Sequence, residues 1–221
     1  MTGLRVRGLL RDEAGAVFAE FALLLPLLVV VVFGSVDFLY AFYQWNAAAK
    51  AVEVGARIAA VSDPVAAGLN RLSNQAVING AVPGTAVPGF VVTCKESNCA
   101  CEGTCPGLAG NLFDATAMKR IVFGRGSALC GDATSYDTTG MCDVLPSITP
   151  DNVVIVYRQT GLGYAGRPGG PVPTITVSLQ NMEFKFFFLT ALMGMKIAIP
   201  PMTTTITAED MCSGRAMACG S

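Results

Sequence analysis

One long apolar run dominates the hydropathy pattern. From Phe21 to Val36 the chain reads FALLLPLLVVVVFGSV without a charge, Asp37 interrupts, and FLYAFYQW continues the apolar character. About 20 helical residues cross a bilayer core, so Phe18 to Trp45 is longer than a membrane helix needs. Tyr40, Tyr43 and Trp45 gather at the far end, as an interfacial aromatic belt would. Pro26 removes a backbone donor and predicts a kink that membrane helices tolerate. Asp37 is expected simply to lie at the outer interface. Arg5, Arg7 and Arg11 precede the run and predict a cytoplasmic N-terminus, with the bulk of the chain outside.

After Trp45 the helical pattern continues from Asn46 to Val61, rich in Ala and Gly, which permit close helix approach. Lys50, Glu53 and Arg57 have the i,i+3 and i,i+4 spacing of a solvated face. Asp63-Pro64 stops the helix. Leu69, Leu72, Ala76 and Val77 predict a short amphipathic helix, and Pro83, Gly84, Pro88 and Gly89 mark turns before a strand at Phe90 to Cys94. The block from Cys94 to Cys105 is expected to be a dense loop, and residues 111–123 a helix. Strands are predicted at Asn152 to Gln159, where β-branched residues crowd, and at Thr174 to Leu179, where Thr/Ser alternates with Ile175, Val177 and Leu179. Thr203 to Thr207 is a further strand. The cluster Phe184, Phe186, Phe187 and Phe188 is expected in the core, with an exposed subunit-facing patch as the alternative. The fold class is α+β: a long N-terminal transmembrane helix followed by a small disulfide-rich domain with an antiparallel sheet.

Composition narrows the chemistry. Charged residues are 14% of the chain, against roughly 25% in typical soluble domains. The net charge of −1 gives no electrostatic reason to expect nucleic acid as a partner. The chain has no histidine, which removes Ser-His-Asp and Cys-His nucleophile pairs and imidazole metal sites together. No residue constellation points to catalysis, and the protein is expected not to be an enzyme. Gly161-Leu162-Gly163-Tyr164-Ala165-Gly166 matches GxGxxG by letter, but Arg167-Pro168-Gly169-Gly170-Pro171 follows where a dinucleotide site needs a helix. No cofactor is expected.

The eight cysteines, Cys94, Cys99, Cys101, Cys105, Cys130, Cys142, Cys212 and Cys219, are candidates for disulfides in an oxidising compartment. The spacing of the first four does not match paired CxxC metal knuckles. Eight cysteines allow about 105 complete connectivities, and spacing does not choose among them. Cys130–Cys142 and Cys212–Cys219 are plausible local loops.

The basic leader ends in Asp12-Glu13-Ala14-Gly15-Ala16-Val17-Phe18-Ala19-Glu20, which resembles a type IV prepilin cleavage site. Cleavage after Gly15 would make Ala16 the new N-terminus, one helical turn from Glu20, so amine and carboxylate could pair within a subunit or between neighbours. Such a carboxylate is costly to bury alone in apolar surroundings. The alternatives are that Glu20 pairs with Arg11 at the cytoplasmic interface, or that an ordinary secretory signal ends near Ala47-Ala48-Ala49.

Residues 11–61 resemble the N-terminal region of TadE-like proteins, pilin-like components of tight-adherence (Tad) pilus systems. The resemblance rests on Gly15, Glu20, the Ala-Leu-Leu-Leu-Pro run ending at Pro26, Gly34 with Asp37, and Glu53-Gly55-Ala56-Arg57. It implies cleavage by a prepilin peptidase and a structural role as a minor pilin or pseudopilin, with other pilin-like subunits, the pilus assembly machinery and the membrane as partners. On that reading residues 1–15 are a cytoplasmic leader, 16–61 a transmembrane and extended helix, and 62–221 an extracytoplasmic α+β domain. The location is then the bacterial inner membrane, single pass, with access to the pilus or cell surface. A membrane-anchored binding protein or adhesin outside any filament is the alternative.

Overall fold

The computed structural model describes residues 13–69, 82–103, 105, 112–126, 129–133, 138–167, 171–194, 196–209 and 211. The predicted helix at Leu69 to Val77 falls mostly outside them, as do Cys212 and Cys219. Helix α1 runs unbroken over Glu13–Ala60, 48 residues with Pro26 inside it. The helix carries on through the proline because only one i→i−4 donor is lost.

The described chain falls into two compact units. The first takes α1 up to Tyr43 together with Phe184–Ile197. The second takes Gln44–Glu183 and the chain from Ala198 onward.

The second unit is built on a five-stranded antiparallel sheet of β1 (Phe90–Lys95), β2 (Asn98–Gly103), β3 (Val153–Arg158), β4 (Thr174–Leu179) and β5 (Met202–Thr207), in the order β2-β1-β3-β4-β5. The period-2 pattern sets the faces. Register brings Val92, Tyr157, Ile175 and Ile206 into one cross-strand row. Cys94, Ile155, Val177 and Thr204 form the next. Val92, Cys94, Ile155, Tyr157, Ile175 and Val177 are buried. The opposite face carries polar pairs, and the hydroxyls of Thr176 and Thr205 lie 3.0 Å apart.

The cysteine-rich block differs from expectation. Its first half is a hairpin: β2 folds back on β1 through Glu96 and Ser97, with Glu96 at a φ of 55°. Cys94 and Cys99 face each other across it and are bonded. A loop was expected because Asn, Ala and Gly have low strand propensity, but pairing with β1 supplies the partners that β2 lacks locally.

Helix α2 (Ala115–Phe123) starts four residues later than the predicted 111, because Asp114 caps it. The Asp114 carboxylate accepts the N–H groups of Thr116 at 2.7 Å and Ala117 at 3.1 Å. A one-turn helix, α3 (Met141–Val144), follows the second cysteine loop, and a single 3-10 turn at Pro150–Asn152 leads into β3. The part of α1 in this unit buries its small residues Ala48, Ala51, Ala56, Ala59 and Ala60. Trp45, Ala49 and Val52 share a shallow cleft with Met202, Thr203 and Thr204, which sets α1 beside β5. On the solvated side, Glu53 pairs with Lys50 and Arg57 as their spacing predicts.

Gly55 has a steric reason. A Cβ there would lie 2.5 Å from the Met141 sulfur and 2.8 Å from its Cγ, and Met141 is fully buried. Glycine lets α3 seat against α1. The buried phenol of Tyr157 accepts the backbone N–H of Val65 at 3.0 Å and so fastens the chain after α1 to the sheet.

In the first unit, the short helix α4 (Phe188–Met193) ends at Gly194, whose left-handed φ of 63° lets its N–H reach the Thr190 carbonyl. The phenylalanine cluster is not the core that was expected. Phe187 is 59% and Phe188 38% exposed, while Phe184 and Phe186 are half-buried. The sheet fills its own interior with aliphatic residues and Tyr157, and the phenylalanines belong to a different unit.

Candidate functional site

The head of α1 carries the residues expected for processing and assembly. Gly15 and Glu20 are both exposed on the helix, and a Cβ at Gly15 would meet nothing within 4 Å. Ala16 follows Gly15 within the same helix. Beyond Glu20 the exposed surface is hydrocarbon: Phe21, Leu23, Leu24, Leu27, Leu28 and Val31 are each at least 60% exposed. A helix this long and apolar can cross a membrane, and none of the residues in its most apolar stretch is buried among the described residues. A Cβ at Gly34 would also meet nothing within 4 Å, so no packing among the described residues requires glycine there.

The feature the sequence reading missed is the partner of Asp37. Phe33, Asp37 and Tyr40 follow i, i+4, i+7 spacing and share one face of α1. Against that face lies the start of α4. The Asp37 carboxylate accepts three consecutive backbone N–H groups, from Phe187 at 2.8 Å, Phe188 at 2.9 Å and Leu189 at 2.7 Å. Phe33 stacks on Phe188 with centroids 4.0 Å apart, and Tyr40 meets Phe187 at 4.7 Å. Asp37 is fully buried. The first N–H groups of any helix lack internal acceptors, and a carboxylate there satisfies them and complements the helix dipole. Phe187 at the N-cap position has no side-chain acceptor of its own, so Asp37 supplies it from about 150 residues away in sequence. Only the carboxylate's placement in an apolar run hinted at this.

The cysteines sit in the other unit. Cys94 pairs with Cys99, Cys101 with Cys105, and Cys130 with Cys142. The Cys130–Cys142 loop is held a second way. Asp143 accepts the N–H of Gly131 and the N–H of Gly140, each at 2.7 Å. Gly140 in turn lies against Gly124, where a Cβ on either glycine would strike the other strand of backbone. Among the described residues no group of three or more acidic or cysteine side chains is arranged to hold a metal ion.

A cleft of about 370 Å³ in this unit is lined by Arg57, Ile58, Val61, Ser62, Arg120 and Arg125. Arg57 already pairs with Glu53, and Arg120 lies 3.5 Å from Asp63. The GxGxxG-like segment is a loop with left-handed φ at Gly161, Gly163 and Gly166, and among the described residues no helix opens from it.

The helix thus carries an exposed apolar surface, with Glu20 exposed near its head and Asp37 buried further along. A family model for TadE-like proteins matches residues 15–57, from Gly15 to Arg57. No curated protein and no solved structure matches the chain. The match lies within α1 and stops short of the sheet.

Proposed function

We propose that this chain is a minor pilin or pseudopilin of a Tad-type pilus, a structural subunit rather than an enzyme. On this reading a prepilin peptidase removes residues 1–15, Ala16 becomes the mature N-terminus, and α1 holds the subunit in the inner membrane before assembly. The observation that carries the reading is the exposed carboxylate of Glu20, five residues after Gly15, at the head of a bare apolar helix. In a bundle of such helices, burying Glu20 is favourable only beside a cation, and a newly made Ala16 amine one turn away is that cation. The pairing would set the axial stagger of one subunit on the next. The basic residues Arg5, Arg7 and Arg11 support a cytoplasmic leader, and the cysteine pairs support an oxidising compartment for the α+β unit.

The test is the N-terminus and intact mass of protein purified from native membranes, followed by shear fractionation of cells. Processing at Ala16 with the chain in the sheared filament fraction is the expected result. A chain starting at Ala16 that stays wholly in the membrane would instead fit the anchored adhesin. A start beyond Ala47, or an intact Met1, would end the prepilin reading.

A further inference from the structure

The segment Phe184–Ile197 leaves the sheet-bearing unit and joins the apolar part of α1. We propose that this segment is a second membrane-embedded element, a short hairpin seated among the lipids of the leaflet opposite Glu20, with Phe187 and Phe188 toward the acyl chains. The inference rests on the reading of α1 as a membrane span.

Position is the first argument. Asp37 lies 17 residues beyond Glu20, about 26 Å along the helix axis, against a hydrocarbon core of about 30 Å. The aromatic contacts that Phe33 and Tyr40 make with the segment therefore fall around the far boundary of the core. Tyr40 and Tyr43, half-buried and exposed respectively, sit at the same level, where aromatic side chains favour the interface.

Exposure is the second. Phe187, Phe188 and Ile197 remain 59%, 38% and 41% exposed, and they extend the apolar surface of α1. The surface is continuous with a helix whose own exposed residues are hydrocarbon, which makes lipid the occupant that both demand.

Backbone chemistry is the third. In a bilayer each unsatisfied N–H costs several kcal/mol. Asp37 accepts the N–H groups of Phe187, Phe188 and Leu189, the Phe184 N–H reaches the Ile197 carbonyl at 2.8 Å, and the Gly194 N–H reaches Thr190 at 2.9 Å. In water those amides could turn to solvent, whereas against lipid they would have no acceptor but the carboxylate. Lys185 and Lys196, both exposed, stand near the two ends of the segment, where long cationic side chains reach the headgroups.

The experiment uses the one native tryptophan. In full-length Trp45→Phe protein, single tryptophans are placed by Phe187→Trp, Ile197→Trp or Leu24→Trp, and each variant is reconstituted into vesicles containing lipids brominated at shallow or deep acyl positions. The expected result is blue-shifted emission at 187 that loses intensity most with shallow bromine, the same trend at 197, and quenching by bromolipid at 24. Emission at 187 and 197 that acrylamide quenches and bromolipid does not would overturn the inference and leave the α1 anchor standing. Blue-shifted emission that neither quencher touches would place a second copy of the chain, and not lipid, on the segment, and would also overturn it. Failure of bromolipid to quench at 24 would overturn the membrane reading of α1 and this inference with it.

Discussion

The carboxylate of Asp37 accepts the backbone N–H of Leu189 at 2.7 Å, across 152 residues of sequence. With the neighbouring bonds from Phe187 and Phe188, this contact joins the middle of an apolar helix to the first turn of another. A charged acceptor serving three amides is stronger than a neutral one, because the ionised oxygens carry more negative charge toward each donor.

Replacing Asp37 by Ala leaves those three amides without acceptors. The expected outcome is faster hydrogen exchange at residues 187–189, by about tenfold or more, in full-length protein in detergent or nanodiscs. Asp37→Asn keeps one acceptor oxygen and should fall between. Unchanged exchange in Asp37→Ala would show that the carboxylate does not hold α4.

Tyr157 gives a pH dependence with a defined sign. Burial pushes its phenol up from the ordinary value, more than the hydrogen bond from Val65 pulls it down. The folded state therefore holds the proton more tightly than the unfolded chain. Its contribution is fully present below the ordinary tyrosine pKa of about 10 and is lost as pH rises beyond that. Tyr157→Phe should cost about 1–3 kcal/mol at neutral pH, because the buried Val65 N–H loses its acceptor. It should also flatten the loss of stability above about pH 10. Denaturant unfolding at neutral and alkaline pH measures both, and an identical alkaline slope in the variant would rule out the assignment.

Gly55 predicts a coupling. Gly55→Val places a branched side chain where the Met141 sulfur lies and should destabilise by about 1–3 kcal/mol. Met141→Ala alone opens a cavity, but in the double variant the two costs should be less than additive, since valine occupies the vacated space. Additive unfolding energies would mean that the two residues do not share that volume.

The cysteine pairs are directly checkable. Non-reducing peptide mapping should recover Cys94–Cys99, Cys101–Cys105 and Cys130–Cys142. Removing the last pair by Cys130→Ser with Cys142→Ser should cost about 2–4 kcal/mol. Asp143→Ala should add to that loss, because Asp143 holds the loop at Gly131 and Gly140 independently of the bond. A map with Cys130 joined to another cysteine would contradict this arrangement.

On the proposed pilin reading, Glu20→Gln should still be cleaved after Gly15 but should be reduced in sheared filaments by about tenfold, because the proposed pairing with the Ala16 amine loses its charge. Equal recovery of wild type and variant from filaments would remove Glu20 from assembly.

Much of this architecture could be read along the chain. The α1 helix, the Lys50–Glu53–Arg57 face, and strands β1, β3, β4 and β5 announce themselves through apolar runs, alternation and β-branched residues, which are local signals with the period of the element. Gly15 and Glu20 stand out for the same reason, as exceptions within a strong pattern. The second strand of the hairpin was hidden because its own residues have little strand preference, and it exists only through pairing with β1.

A membrane-length helix ahead of an antiparallel α+β unit is legible in the residues alone, because a lipid-facing helix needs an unbroken apolar run and a half-buried strand alternates with a period of two. Which cysteines meet, why Gly55 must be small beside Met141, and that Asp37 closes on Phe187–Leu189 are visible only in three dimensions. Those relationships join residues 4 to 152 positions apart, through distances and directions in space that no local periodicity encodes.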